Sequence, residues 1–255
     1  MFKKTPIAAL AAASLLLIAG GCSATNAGKA EAVKPAAVAA VPAAAPAAAP
    51  AAAPAAAAKV DYTKMSSKDL AEYLIFETDS YDLKQATQEG TSGRARLEQD
   101  EIQKACSLMK GQELDDKSRE KVMALAAASI KYPEGGIKLG DWKNGRELAW
   151  SGFGYRTAHN PDDHSKREAG GNCYNCHQLA TDRTGGDIGP SLTGYGKNRG
   201  ASEDMLKYTY DVIYNPHTYF ACTNMPRMGA VGVLNQKQIA DIMAYLFDPA
   251  SPVNK

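Results

Sequence analysis

One short run constrains this chain more than any other feature: two cysteines three positions apart with a histidine directly after the second, Cys173, Cys176 and His177. This spacing is the attachment signature of a c-type haem. Residues three apart lie on one face of a helical turn, so both thiols can bond the vinyl groups along one porphyrin edge. His177 then lies under the ring and can give the iron one axial nitrogen. The run predicts one covalently bound haem c.

Residues 1–21 have the form of an export signal, with two lysines, a short apolar run and small residues at the end. The apolar run is too short to span a membrane comfortably as a mature helix. The small residues directly before Cys22 resemble a bacterial lipobox, which implies cleavage before Cys22 and acylation of that residue. Several acyl chains make a stable anchor, and Ser23 in place of aspartate favours the periplasmic face of the outer membrane. Cleavage by the ordinary signal peptidase a few residues later is the alternative.

Two cysteines outside the signal and the haem run, Cys106 and Cys222, remain to be explained. A structural zinc site is the competing interpretation of the run, but it takes four ligands, usually as two close pairs. These two cysteines stand alone in the sequence, so haem is favoured. In the oxidising compartment that an export signal implies, Cys106 and Cys222 are expected to form a disulfide. Two buried free thiols are the other possibility.

Residues 22–58 are dominated by alanine and proline, with a Pro-Ala-Ala-Ala repeat between Pro42 and Pro54. Such a segment has no large apolar side chains with which to build a core. Proline favours an extended, semi-rigid spacer of roughly 3.1 Å per residue, and it opposes a helix of alanines. The segment is therefore predicted to be a tether that reaches up to about 100 Å from a membrane when fully extended.

Residues 59–139 are predicted to form a mainly helical extension. Ser66, with aspartate three positions later, indicates a helix start. Apolar residues at helical spacing predict a second helix within 97–109, with Cys106 facing the core. The apolar stripe of a third helix consists of Val122, Leu125, Ala126 and Ile130. No residue of the extension carries obvious chemistry, so its predicted role is packing.

The haem-binding part is predicted to occupy residues 140–255. Near its start, one helical face is rich in small residues that let another helix cross closely: Gly145, Leu148, Ala149 and Gly152. Near its end, Asn235 can cap a helix with glutamine three positions later. The apolar stripe of that helix consists of Ile239, Ile242, Met243 and Leu246. Terminal helices that cross beside a covalent haem are typical of the class I cytochrome c fold, so the predicted fold class is all-α, with a helical N-terminal extension.

The second axial ligand of the iron has several candidates. Met225 lies in a polar loop just ahead of the last helix and off any periodic apolar stripe, so core packing does not explain it. A thioether there favours the reduced iron. Met225 is the preferred candidate and Met228 the next, and His217 and Cys222 are the others.

Two further histidines, His159 and His164, lie in an insertion ahead of the haem run. Either imidazole is a possible iron ligand in principle. Because asparagine, aspartate, serine and lysine surround them in the sequence, both are interpreted as solvated loop residues.

The segment 188–196, which follows the haem run, resembles the Gly-Pro-x-Leu segment that passes the back of the haem in cytochromes c. By that resemblance, the backbone carbonyl of Pro190 accepts the proton of His177. Such a bond fixes the imidazole and tunes its donation to iron. A plain Pro/Gly turn is the alternative.

Five segments together resemble the SoxX family, the monohaem subunit of the SoxAX cytochrome of bacterial sulfur oxidation: 170–177, 188–200, 208–216, 223–229 and 244–254. The ending Tyr-Leu-Phe-Asp-Pro-Ala-Ser-Pro-Val-Asn is far more specific than a haem run. Residues 97–107 also resemble the longer form of the family. The sequence departs from the family at Met228, where phenylalanine is common, so the choice of axial methionine stays open. A lipid anchor is not expected of most members.

The resemblance implies that this chain is the electron-transfer haem subunit of SoxAX, and so a subunit of L-cysteine S-thiosulfotransferase. SoxAX oxidatively joins thiosulfate to a cysteine of the carrier SoxYZ. Electrons leave at the haem of a SoxA-like partner, pass through the haem of this chain and go to a small cytochrome c. No nucleophile-and-base pair is evident in the sequence, so no catalytic residue is expected in this chain.

Two other functions fit the same run of residues. One is a lipid-anchored monohaem cytochrome c that relays electrons in respiration without a sulfur role. The other is a catalytic cytochrome with one labile axial ligand, such as a peroxidase. The formal net charge of +1 gives no indication of nucleic acid or of a strongly charged partner.

Overall fold

The computed structural model describes residues 60–107, 113–156 and 163–255. The regular elements in these ranges are helices, which confirms the all-α prediction. The α-helices are α1 (Ser67–Glu72), α2 (Gly93–Leu97), α3 (Glu101–Ser107), α4 (Asp116–Ser129), α5 (Trp142–Trp150), α6 (Tyr195–Arg199), α7 (Glu203–Tyr214) and α8 (Gln236–Phe247). Shorter helical turns span Tyr62–Lys64, Tyr73–Glu77, Cys173–Asn175, Pro216–Thr218 and Pro252–Asn254.

Several predictions lie outside the described residues: the signal at 1–21, the lipid-modified Cys22, the tether at 22–58 and His159. Within the described ranges, no helix combines the length and the apolar character that crossing a bilayer requires. The described residues fall within one compact unit, which contains both the extension and the haem-binding part.

Side-chain caps fix where the main helices begin. The Ser66 hydroxyl accepts the N–H of Asp69 at the start of α1, and Asn235 forms a capping box with Gln238 at the start of α8. Both starts confirm the prediction, because these side chains satisfy N–H groups that a first helical turn leaves unbonded. α7 ends at Tyr214, and its C-cap residue Asn215 stands directly before a proline.

The centre of the haem-binding part is the close crossing of α5 and α8. A side chain on Gly145 would overlap the backbone carbonyl of Asp241, so the approach requires glycine there. The apolar stripe of α8 is buried as predicted, at Ile239, Ile242, Met243 and Leu246. Gly152 lies beyond the end of α5 and does not belong to the crossing face.

The carboxylate of Asp241 ties the same two helices together. It accepts hydrogen bonds from the N–H of Asp141 at 2.8 Å and from the Asn144 side chain at 2.9 Å. It also pairs with Lys237, Nζ to Oδ2, at 2.7 Å. Burial alone would raise the pKa of Asp241, but these donors hold its pKa below the ordinary value of 3.8. The carboxylate is therefore ionised at neutral pH.

A small core and a disulfide hold the extension in place. Ile102 of α3 packs with Val122 and Ala126 of α4. The Sγ atoms of Cys106 and Cys222 are bonded at 2.07 Å, across 116 residues of sequence. The disulfide joins α3 to the loop that carries the methionine candidates.

α4 buries a narrower face than its apolar pattern indicates. Val122 and Ala126 are fully buried, whereas Leu125 is 37% exposed. Leu125 therefore lies on the exposed side of the predicted apolar stripe. Ile130 is the C-cap residue of α4. It packs against the core of the haem-binding part and not against the small core of the extension.

His164 is not the solvated loop residue that its polar neighbours in the sequence indicate. Its ring centroid lies 4.9 Å from that of Phe153 and 4.6 Å from that of Tyr155. Its Nε2 lies 3.2 Å from Oε1 of Gln88 in the extension. These aromatic partners stand about ten positions earlier in the chain, so the polar residues next to His164 did not reveal them.

Candidate haem site

The haem run folds as one tight turn. Cys173–Asn175 form a 3₁₀ turn, and Asn172 before it has a left-handed backbone with φ of 49°. The N–H groups of Cys176 and His177 both donate to the carbonyl of Cys173, at 3.1 and 2.9 Å. The two thiols and the imidazole are therefore carried by a single turn of the chain.

Both cysteines of the run are free thiols. Cys173 packs against the core, and burial raises the pKa of its thiol to about 12, so this group stays protonated at neutral pH. Among the described residues, no three histidine, cysteine or acidic side chains meet as a metal-ion site. The structure thus gives no support to the zinc alternative.

The backbone of the following segment orients His177. Its Nδ1 lies 2.8 Å from the carbonyl oxygen of Pro190, which can only accept, so Nδ1 carries the hydrogen. That tautomer leaves a lone pair on Nε2. An imidazole with one nitrogen bonded to a carbonyl and the other open is the arrangement of an axial iron ligand. The bond is the one that the resemblance to cytochromes c implies for Pro190.

Two glycines let the following segment approach this closely. A Cβ on Gly189 would overlap the imidazole ring of His177, and one on Gly185 would overlap the carbonyl of the same residue. The N–H of Gly189 also donates to the carbonyl of Cys176 at 2.7 Å. The backbone at Gly189 therefore forms one wall of the imidazole site.

Tyr174, between the two cysteines, anchors the run to α8. Its hydroxyl lies 2.6 Å from that of Tyr245 and accepts the N–H of Ala180 at 3.2 Å. Burial, and then the bond to Tyr174, raise the pKa of Tyr245 far above its ordinary value. This pair was not predicted. The available signal was a tyrosine within the apolar stripe of the last helix, since a buried hydroxyl needs a partner.

Gln178, directly after the axial histidine, closes the next loop. Its Nε2 donates to the carbonyls of Ala180 and Arg183, at 2.7 and 2.8 Å. Its Oε1 accepts the N–H of Gly185 at 2.8 Å. One side chain thus satisfies three backbone groups of the loop. Nothing in the local sequence pattern marks this role.

An exposed indole is linked to the haem run by ring contacts. Trp150, which is 48% exposed, meets Tyr174 edge-on, with ring centroids 5.3 Å apart. The guanidinium of Arg183 lies 4.6 Å from the Trp150 ring centroid, within the range of a cation–π contact. An aromatic contact therefore runs from the surface to the residue between the two cysteines.

The loop before α8 carries the candidates for the second axial ligand. Met228 packs against the core of the haem-binding part. Met225 belongs to neither core cluster of the described residues, and its N–H donates to the Thr223 hydroxyl at 3.3 Å. Cys222 is held in the disulfide and is not a free ligand. Met225 stays the predicted ligand.

His217, the remaining candidate, is committed to this loop. Its Nδ1 accepts the N–H of Cys222 at 2.9 Å. Desolvation, and then the charge of Arg227, lower the pKa of His217 below its ordinary value of 6.5. Arg227 itself pairs with Asp100 at 2.6 Å. These contacts tie the loop to the extension.

The residues of the run fit haem c. Both thiols are free, Nδ1 of the imidazole is bonded to the Pro190 carbonyl, and the backbone at Gly189 lies directly against the ring. The donor set of two thiols and one imidazole on a single turn is that of a c-type haem.

Comparison with known proteins agrees with this geometry. The family model for cytochrome c matches residues 165–248. A protein described as an uncharacterized lipoprotein of Aquifex aeolicus (strain VF5) is 42% identical over 164 residues, which cover 64% of this chain and 76% of that protein. A cytochrome c domain binds haem c covalently, so haem c is confirmed as the cofactor, and a single haem stays a prediction.

Proposed function

Because this chain belongs to the same family as the Aquifex aeolicus lipoprotein and contains a cytochrome c domain, we propose that it is a membrane-anchored electron carrier outside the cytoplasm. Haem c supplies a reversible one-electron iron couple. The description of the relative as a lipoprotein and the lipobox-like residues before Cys22 support an anchor. The periplasmic face of the outer membrane is the proposed location.

The observation that carries the proposal is the bond from Nδ1 of His177 to the Pro190 carbonyl. It holds the imidazole in one tautomer and one orientation, so the lone pair of Nε2 would be available to a haem iron without rearrangement of the ring. The buried bond between Tyr174 and Tyr245 keeps the run fixed on α8. A site that does not rearrange between oxidation states suits electron transfer.

The chain offers a second ligand in Met225, which no core packing explains. An iron held by an imidazole and a thioether has both axial positions filled. Substrate then has no open position, which suits a relay and disfavours a peroxidase. Slow binding of cyanide and carbon monoxide is the expected result, and rapid binding to the resting protein would contradict it.

The narrower role that we propose is the SoxX-like subunit of a SoxAX complex, part of L-cysteine S-thiosulfotransferase. Its support is the set of segments that resemble SoxX, above all the ending at 245–254. In this role the chain takes electrons from a SoxA-like partner after thiosulfate has been joined to a SoxYZ cysteine. It then passes the electrons to a small cytochrome c. The chain itself supplies no catalytic residue.

Thiosulfate-dependent reduction of the haem tests this role. The native complex is isolated from membranes and mixed with thiosulfate and the carrier SoxYZ, and haem reduction is followed by absorbance. We expect reduction only when the carrier is present. Carrier with its cysteine alkylated is the matched control and should give none. Reduction by respiratory donors, with none by thiosulfate and intact carrier, would contradict the sulfur role.

That outcome would favour a second candidate, a lipid-anchored cytochrome c that relays electrons in respiration. The observation in its favour is the relative described as a lipoprotein, since a lipid anchor is not expected of most SoxX-like proteins. Co-purification separates the candidates further. A stable complex with a SoxA-like cytochrome supports the sulfur role, and a stable complex with an oxidase or reductase supports the respiratory one.

A further inference from the structure

A cavity of about 720 Å³ lies where the extension meets the loop before α8. The disulfide of Cys106 and Cys222 and the imidazole of His217 line it together. Further lining residues include Gln103, Ser107 and Thr223. Both cysteines are partly exposed. A small solute that enters this cavity therefore reaches the disulfide.

The backbone of Cys222 is in an unusual conformation. Its φ is 58°, which lies in the left-handed region of backbone conformations. Residues other than glycine, asparagine and aspartate rarely adopt this region. The surrounding structure imposes it, because the N–H of Cys222 is bonded to His217 and its sulfur to Cys106. Backbone outliers of this kind cluster at functional sites.

His217 lines the cavity and holds the backbone of Cys222 there. Its Nδ1 accepts the N–H of Cys222 at 2.9 Å, so the hydrogen of the neutral ring is on Nε2. Desolvation and the charge of Arg227 lower the pKa of His217, and Asp100 opposes them weakly. The ring is therefore neutral at neutral pH, and its Nδ1 stays free to hold the N–H of Cys222.

We propose that the disulfide of Cys106 and Cys222 is an exchange site for small thiols. The attacking thiolate bonds to Sγ of Cys106, the bond between the two cysteine sulfurs breaks, and its electron pair leaves on Sγ of Cys222. Cys222 is the leaving side because its backbone is held in the left-handed region by the bonds to His217 and Cys106, and release of its sulfur frees that backbone. A second thiol then takes the first from Cys106 as a small-molecule disulfide. Overall, two thiols are oxidised, and their two protons and two electrons pass to the two cysteines.

The position of this site gives the exchange a consequence for the haem-binding part. The disulfide joins α3 to the loop with Met225, and the ion pair of Arg227 and Asp100 at 2.6 Å is a second link between the same elements. Exchange removes the covalent link and leaves the ionic one. The exchange chemistry does not depend on the proposed electron-relay function.

Reduced glutathione is the probe for the experiment. The full haem-loaded chain is incubated with it at neutral pH, quenched with acid, alkylated and analysed by peptide mass spectrometry. We expect a glutathione adduct on Cys106 and an alkylated Cys222 while circular dichroism shows the fold intact. His217→Gln should slow the reaction about tenfold. His164→Gln, which changes another imidazole outside the cavity lining, should leave the rate unchanged.

Three results would overturn the proposal. The first is a disulfide that reacts with glutathione only after the chain is unfolded. The second is a glutathione adduct on Cys222 in place of Cys106. The third is an exchange rate in His217→Gln that equals the rate of the unmodified chain. Ser107→Phe provides a second measure if His217→Gln does not fold, because the larger side chain narrows the cavity at the end of α3. Ser107→Phe should also slow the exchange about tenfold. An exchange rate equal to that of the unmodified chain would count against the site.

Discussion

At the scale of single residues, the imidazole site depends on how closely the backbone at Gly189 approaches His177. Gly189→Ala puts a methyl group into the ring of His177, and relief requires the segment or the ring to move. We expect the free energy of unfolding of the haem-loaded protein to fall by about 1–3 kcal/mol, measured by denaturant titration. Gly154→Ala is the matched control, because a Cβ there meets no atom within 4 Å. Equal losses in the two variants would contradict the close approach.

The two methionines of the loop give the second prediction at this scale. Met225→Leu should abolish the sulfur-to-iron absorption band and lower the midpoint potential, since thioether ligation favours reduced iron. Met228→Leu should keep the band, because Met228 is already used in core packing and leucine has nearly the same volume. Loss of the band in Met228→Leu alone would assign the ligand to Met228.

Between elements, the crossing of α5 and α8 depends on one buried carboxylate. The donors around Asp241 hold its folded-state pKa below 3.8. A carboxyl group with a lowered pKa contributes stability above its ordinary pKa, and this stability is lost as pH falls through the folded value. Stability should therefore begin to fall near pH 4 and continue to fall below it.

Asp241→Asn removes this contribution and leaves Lys237 without its partner. We expect a loss of about 1–3 kcal/mol at neutral pH and a flatter dependence of stability on pH below about 4. Asp204→Asn, at an exposed position of α7, is the control and should change little. Thermal unfolding at a series of pH values measures both effects. If the stability of Asp241→Asn falls below pH 4 as steeply as that of the parent protein, other carboxylates cause the loss of stability in acid.

Helix positions were predictable where the signal is local. Residues three or four apart in the sequence predicted the helix starts at Ser66 and Asn235, and both helices begin at these caps. The same spacing predicted a helix crossing at Gly145, where α5 and α8 meet. His164 was misplaced because its environment depends on residues outside its own loop: aromatic rings about ten positions earlier in the chain contact it. The exposure of Leu125 depends on which edge of α4 packs against α3, and the apolar stripe alone does not show that.

For the whole molecule, the disulfide is a covalent cross-link between the extension and the haem-binding part, in addition to the chain itself. The double variant Cys106→Ser with Cys222→Ser opens a loop of 116 residues. We expect a loss of about 2–4 kcal/mol in the free energy of unfolding. The parent protein under reducing conditions should show the same value. An unchanged midpoint in denaturant would mean that packing alone holds the extension.

The residues of the haem site could be predicted where they are neighbours in the sequence, and the contacts that support them could not. Cys173, Cys176 and His177 lie within five positions, so the sequence reveals them together. The contacts that support them come from afar: Tyr245 is 71 positions from Tyr174, and nothing in a single sequence pairs the two. Which methionine completes the site depends on loop geometry and stays a prediction.

The most direct test of the central claim is to unfold the mature protein in acid and organic solvent and ask whether the haem leaves. The account predicts that the mass of one haem stays with the peptide that contains Cys173 and Cys176. It also predicts that the folded protein shows the absorption band of sulfur-ligated iron. A mature protein whose haem is extracted, or that carries none, would contradict it.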